Sequence, residues 1–335
     1  MITIKDIAKA AGVSPASVSR VINNGPKVGS KTRERIKTIM QEMGYQPNVH
    51  AQALNTQQNE AIGIVLADLT DPFFAAMAHG IEQVASRKNV QIFMNSGAFK
   101  QHTEMKAIET LREHRYTNMV VNSAALSDDQ LIKFAESIPG FVLLNRYIEK
   151  IKSRCVWLDE YMCGHMMAQH IGEKGHKQMA VLLTDEIRPN TQERLRGMVD
   201  YFTAQDITLP DTNIEYSYAS YEGGEIAVQN LLAKGINFTA LLCYNDAMAV
   251  GAISMFKAHG LRVPEDISVI GCDNLILAKC SIPKLTTINV PIEQMAKKAA
   301  ELSLKLAKPR LEQNIIEEQK FTPSLVERGT VKDIT

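Results

Sequence analysis

Residues 1–24 read MITIKDIAKAAGVSPASVSRVINN, and two short helices at a fixed angle are written into them. Thr3 stands three residues before Asp6, the spacing of a capping box at a helix start. Ala8 precedes Gly12 by four residues, so a small side chain permits close helix contact and a glycine takes the turn. Ser14 and Pro15 then supply an N-cap and a residue whose φ is already set for the first helical position. Val18 anchors this second helix on the core. The pattern predicts a helix-turn-helix whose second helix offers its N-terminal residues to base edges in a major groove.

Working outward, a third helix is predicted from Ser30, with Ile36, Ile39, Met40 and Met43 on one face and Gly44 ending it. That face can cover Ile7, Ala11, Val18 and Ile22, giving a three-helix headpiece over residues 1–46. Pro47 breaks the chain. Residues 48–57 (NVHAQALNTQ) have helix-forming composition but are too short for a stable isolated helix, so 47–59 reads as a hinge that is helical when docked.

Charge separates the same two parts. The 335 residues carry no net charge, yet residues 1–58 hold eight Lys and Arg against three Asp and Glu. A surplus of five positive charges on the head therefore faces five negative on the rest, the footprint of a nucleic-acid-binding domain carried by a separate body. With 45% hydrophobic and 22% charged residues the composition is that of a globular protein of more than one domain. Apolar runs such as Met179–Leu183 are strand-length, far short of a membrane span. The helix-turn-helix occupies the place of a secretory signal, so a cytoplasmic location is expected, at the nucleoid when DNA-bound. Cys155, Cys163, Cys243, Cys272 and Cys280 lack CxxC spacing and read as scattered reduced thiols.

From Ala61 the texture changes. Apolar runs at 62–67, 90–94, 119–121, 141–144, 155–158, 179–183, 240–244 and 267–270 alternate with amphipathic stretches, which predicts an α/β body of two doubly wound parallel sheets. Asp68, Asn95, Asn122, Asn145, Asp159, Thr184, Asn245, Asp273 and Asn289 follow apolar runs directly. Ligands of open α/β sheets bind at the carboxyl ends of strands, so these side chains could line a polar ligand; each could also merely cap the next helix.

The headpiece TIKDIAKAAGVSPASVSRVINN, the hinge NVHAQAL, the runs DLTDPFF, RLRG, YNDAMAVGA, ISVIGCDN and LTTINVP, and the pair Asn145–Arg146 occur in an order that resembles the LacI/GalR family of bacterial transcription regulators. The blocks DLTDPFFAAMAHGIEQVA and NFTALLCYNDAMAVGA and the closing TPSLVER are most similar to its galactose repressor and isorepressor branch. The resemblance implies a core like periplasmic sugar-binding proteins over 60–335. Its N-subdomain would take about 60–160 and 292–321, its C-subdomain about 161–289 and 322–335, with crossings near 159–164, 289–292 and 321–323. One branch tetramerises through a C-terminal leucine heptad; the ending VERGTVKDIT has none, so a homodimer is expected.

Carried over position by position, the resemblance assigns Pro15, Ala16 and Arg20 to base contact and Thr3, Ser14, Ser17, Asn23 and Tyr45 to phosphate contact. Arg20 can make the bidentate contact to guanine, and Pro15 stands where the branch has Val. Ser17 and Asn23 can equally be helix surface and C-cap. Leu54 matches a wedge between base pairs in the minor groove, and can also pack helix on helix. For the effector, Asp71, Phe73, Phe74, Asn145, Arg146, Arg194, Asn245, Asp273 and Asn289 match the positions around the ligand, with one Phe stacking and the other packing. Cys272 stands where the family has an aromatic residue, and the stretch Tyr216–Tyr221 can supply another.

The expected function is repression of sugar-uptake or catabolic genes, relieved at a pseudo-palindromic operator by a monosaccharide inducer, galactose or a close epimer. A nucleobase corepressor or a phosphocarrier protein partner is the alternative within the family, and a sugar receptor without regulatory role the alternative outside it. An enzyme is not expected: the chain has no GxSxG, HExxH, P-loop or GxGxxG, and His165 and His170 are spaced wrongly for a shared metal. Neither cofactor nor metal is implied.

Overall fold

The computed structural model describes residues 2–22, 25–45, 59–185, 189–308 and 319–335. The chain divides into two compact units, Met1–Asn59 and Glu60–Thr335. Asn23, Leu54 and nearly all of the expected hinge lie outside the described residues.

In the first unit α1 (Ile4–Ala11), α2 (Pro15–Ile22) and α3 (Ser30–Glu42) form the headpiece. The Asp6 carboxylate accepts from Thr3 N at 2.8 Å and Thr3 Oγ1 at 2.7 Å, which closes the start of α1. Gly12 ends it at φ +61°, a conformation that a side chain disfavours. Ser14 Oγ accepts from Ser17 N at 3.2 Å and so opens α2. Ile7, Ala8, Ala11, Val18, Val21 and Ile36 are buried together, with Ile39, Met40 and Met43 packed at the edge. Val21, rather than Ile22, is the fully enclosed residue at the end of α2.

The second unit holds two six-stranded sheets. The first contains β1 (Asn59–Leu66), β2 (Ile92–Ser96), β3 (Tyr116–Val121), β4 (Gly140–Leu144), β5 (Cys155–Leu158) and β11 (Gln319–Phe321), in the order β11-β5-β4-β3-β1-β2. The second contains β6 (Met179–Thr184), β7 (Ile214–Ser217), β8 (Ala240–Cys243), β9 (Ser268–Asp273), β10 (Thr286–Asn289) and β12 (Ser324–Val326), in the order β12-β10-β9-β8-β6-β7. β12 runs antiparallel to β10, while β6/β7, β6/β8, β8/β9 and β9/β10 are parallel.

Helices α4 (Pro72–Lys88), α5 (Gln101–Glu113) and α6 (Asp128–Ser137) connect the first sheet. Helices α7 (Glu160–Glu173), α8 (Pro189–Ala204), α9 (Tyr221–Ala233), α10 (Asp246–Ala258) and the short α11 (Ile276–Cys280) accompany the second, and α12 (Ile292–Leu306) returns to pack on α4 and β4. The chain thus leaves the first sheet after β5, returns after β10, and passes from β11 straight to β12.

Continuous apolar strands buried on both faces fit a sheet covered by helices on either side. β10 reads TTIN, and its threonines are tolerated inside because Thr286 Oγ1 accepts from Arg328 N at 2.9 Å and Thr287 Oγ1 donates to Asp246 at 2.5 Å. No helix among the described residues is long and apolar enough to cross a membrane.

Candidate functional site

On the headpiece, Thr3, Ser14, Pro15, Ala16 and Arg20 are exposed, and Ser17 and Tyr45 are half-buried. Pro15, Ala16 and Arg20 occupy one helix, α2, whose buried face is Val18 and Val21. The hydroxyls of Ser14 and Ser17 lie 3.0 Å apart and share a hydrogen bond.

In the second unit the strand ends meet at a cleft of about 520 Å³. From the first sheet come Asp68, Thr70–Phe74, Phe99, Asn122–Ala124 and Asn145–Arg146. From the second come Asn190, Arg194, Tyr218–Tyr221, Tyr244–Ala247 and Asp273, with Glu160 at the first crossing. Eight of the nine matched positions line it: Asp71, Phe73, Phe74, Asn145, Arg146, Arg194, Asn245 and Asp273. Asn289 does not. Its side chain is spent behind the wall, accepting from Asn274 Nδ2 at 2.9 Å and donating to Ser324 Oγ at 3.4 Å.

Several lining groups also serve the scaffold. Asp71 Oδ1 caps α4 by accepting from Phe73 N at 2.8 Å, and Asn245 Oδ1 caps α10 by accepting from Met248 N at 2.8 Å. Capping and lining are therefore not alternatives at these positions. Phe74 is buried in the core, edge-on to Phe73 at 5.5 Å and to Phe99 at 5.9 Å, whereas Phe73 keeps more of its face open. Tyr218, Tyr221 and Tyr244 add aromatic surface from the other wall. Cys272 is fully buried behind it.

Arg194 is tied down on three sides. Its Nε and Nη2 donate to Glu160 Oε2 at 3.0 and 2.5 Å, its Nη1 donates to the Tyr244 carbonyl, and its guanidinium lies 4.6 Å from the Tyr244 ring centroid. Asn190 Nδ2 donates both to Glu160 Oε1 and, across the cleft, to the Asn145 carbonyl, each at 3.1 Å. Glu160 stands one residue past the strand-end Asp159 and Asn190 in the first turn of α8, and no local pattern pairs either with Arg194 or the cleft. Their approach depends on two glycines: a Cβ on Gly164 would fall 1.8 Å from Arg194 O, and one on Gly197 would fall 2.0 Å from Tyr161 O. Only glycine lets α7 and α8 come this close.

Asp273 and Asn274 hold left-handed backbone, φ +122° and +59°. Such strain, about 1–3 kcal/mol per residue, persists where surroundings over-determine it. Here Asp246 accepts from Leu275 N at 3.0 Å, Asn274 bonds Asn289, and Arg328 donates to Asn274 Oδ1 at 2.5 Å. Burial pushes the Asp273 carboxyl well above the usual range, Cys272, Asp246 and Asp71 adding to it and Arg194 opposing. Burial raises Asp71 as well.

Asp246 is pushed up to about 6, chiefly by burial, with its bonds from Thr287 and Leu275 opposing. A carboxyl raised on folding favours the folded chain fully below its unfolded value of 3.8, and that contribution fades as pH rises through about 6. Lowering the pH from about 7 to about 5 should thus add stability through Asp246. Asp71 and Asp273 act in the same direction, so the readout is a difference. Urea midpoints for the parent should rise more over this interval than those of Asp246→Asn; equal changes would remove the assignment.

Among the described residues no group of three or more His, Cys, Asp and Glu could hold a metal ion. The profile of bacterial regulatory proteins of the lacI family matches residues 3–48, and that of the periplasmic binding protein-like domain matches 168–331. The HTH-type transcriptional regulator GalR of Escherichia coli (strain K12) is 38% identical over 331 residues, 99% of this chain and 96% of that protein. The chain belongs to the LacI family. The HTH-type transcriptional regulator GalS of Salmonella typhimurium is 36% identical over 99% of this chain and 97% of its own length. A crystal structure of the lac repressor dimer bound to operator and the anti-inducer ONPF superposes with a TM-score of 0.87 at 27% identity, covering 99% of each chain. This LacI-family chain is a DNA-binding transcriptional regulator related to GalR and GalS, and not an enzyme.

Proposed function

We propose that this regulator represses sugar-uptake or catabolic genes in the cytoplasm as a homodimer, and that a hexose, galactose or a close epimer, releases it from a pseudo-palindromic operator. The cleft carries the reading. Its 520 Å³ suit a monosaccharide, with aromatic rings for the apolar face of the sugar and carboxylate, amide and guanidinium groups for its hydroxyls. A site built to pair with hydroxyls rejects analogues that lack them, because its own polar groups are left unsatisfied. The relatives GalR and GalS support the regulator reading, and the resemblance of the sequence to the galactose repressor and isorepressor branch supports a galactose-type effector. Calorimetry of the full chain with galactose, glucose, fucose, ribose and a nucleobase tests this. Heat with galactose and loss of operator binding on its addition are expected; heat with the nucleobase alone would overturn the hexose.

Each headpiece would read one half-site, since two-fold readers impose their symmetry on the operator. Exposed Arg20 is the residue of α2 able to read guanine. Arg20→Ala should cost about 1–3 kcal/mol in operator binding and relax preference at one base pair per half-site. Unchanged affinity at matched salt would remove α2 as the recognition helix.

A further inference from the structure

We propose that Glu160 restricts this cleft to uncharged sugars, by withholding the charge of Arg194 from any ligand. The inference rests on the hexose reading and adds to it the class of sugar refused. Among the described residues, the cations that line the cleft are Arg146 and Arg194. Both already face an acidic side chain. Arg146 donates to the Leu126 carbonyl at 2.9 Å and to Asp128 Oδ1 at 2.6 Å. Arg194 meets Glu160 with side chains 5% and 8% exposed, and its Nη1 is turned to the Tyr244 carbonyl.

The other ionisable groups of the wall, Asp68, Asp71, Asp185, Asp246 and Asp273, are all acidic, so none of them offers an incoming anion a positive partner. A phosphate or carboxylate that sought Arg194 would compete with Glu160 for the same guanidinium edge. It would also leave that carboxylate buried without a partner, a costly arrangement. A hydroxyl carries no such demand, since it brings no charge to be matched and can donate to Asp71 or Asp273. Asn190, which donates to Glu160 Oε1, holds the carboxylate in this orientation.

The test is calorimetry of the full chain with galactose, galacturonate and galactose 6-phosphate. The parent should bind galactose more tightly than either anion by about a hundredfold or more, as an anion would have to break the buried Glu160–Arg194 pair to gain a cation. Glu160→Gln keeps the shape but releases the guanidinium charge, and should narrow that ratio by about tenfold or more through gained affinity for the anions. Glu160→Asp retains the charge and should refuse them as the parent does. Parent binding of an anion within tenfold of galactose overturns the proposal even if Glu160→Gln does not fold. So does a folded Glu160→Gln with the parent's ratio. Failure of galactose and both anions to bind would overturn the hexose reading as well.

Discussion

Arg194→Ala is expected to lower the stability of the core by about 3–5 kcal/mol, the usual cost of leaving one member of a buried ion pair without its partner. The Glu160 side chain is 8% exposed and would be left buried without its cationic partner. The Tyr244 carbonyl would lose its donor as well. A double variant, Arg194→Met with Glu160→Leu, should recover most of the loss, because exchanging both charges for apolar groups removes the desolvation along with the attraction. Urea denaturation of the full chain, followed by circular dichroism, measures both. A single variant as stable as the parent would show that the pair is not formed. The double variant should stay insensitive to sugar despite its recovered stability, which separates the scaffold role of the pair from its role in the cleft.

Glu104→Ala is the second large effect, at about 3 kcal/mol, since hydrogen bonds to a buried charge contribute about 1.5–3 kcal/mol each. Glu104 is fully buried on α5, and its carboxylate accepts from Ser123 Oγ at 2.6 Å, Ala124 N at 2.9 Å and Ala125 N at 3.1 Å. Those donors belong to the loop after β3, part of which lines the cleft. The variant should therefore lose stability and sugar affinity together, while operator binding without sugar is retained wherever the core stays folded. Full sugar affinity in a destabilised Glu104→Ala would mean that the loop holds its shape without the carboxylate.

Local chemistry explains which parts of the molecule could be read in advance. Caps and turn glycines act over three or four residues, so Thr3, Asp6, Gly12 and Ser14 announced the headpiece helices directly. Strand ends announced Asp68, Asn122, Asn145, Asn245 and Asp273, since a doubly wound sheet brings successive carboxyl ends to one edge. β7, β11 and β12 were missed because they are short and only partly buried, and carry no continuous apolar signal. β10 is marked by its end at Asn289 but not by a continuous apolar run, because its Thr286 and Thr287 are buried polar residues made acceptable by partners far off in sequence. The Glu160–Arg194 pair joins residues 34 positions apart and depends on two helices crossing at glycine. Such a contact is a property of packing, and no local pattern encodes it. Asn289 fails for the converse reason: a strand-end amide marks a place near the cleft, but its neighbours decide whether it faces inward.

The threefold passage between the sheets also governs the order in which a growing polypeptide can fold. Chains emerge from the ribosome N-terminus first, at roughly 5–20 residues per second. The headpiece helices end at Glu42, so their core can close early in synthesis. The first sheet waits for β11 at Gln319–Phe321, although its other five strands are complete by Leu158. The second waits for β12 at Ser324–Val326. Both sheets are therefore finished within a few residues of each other, and the cleft with them. A nascent chain carries a closed DNA-reading head well before it carries a finished sensor.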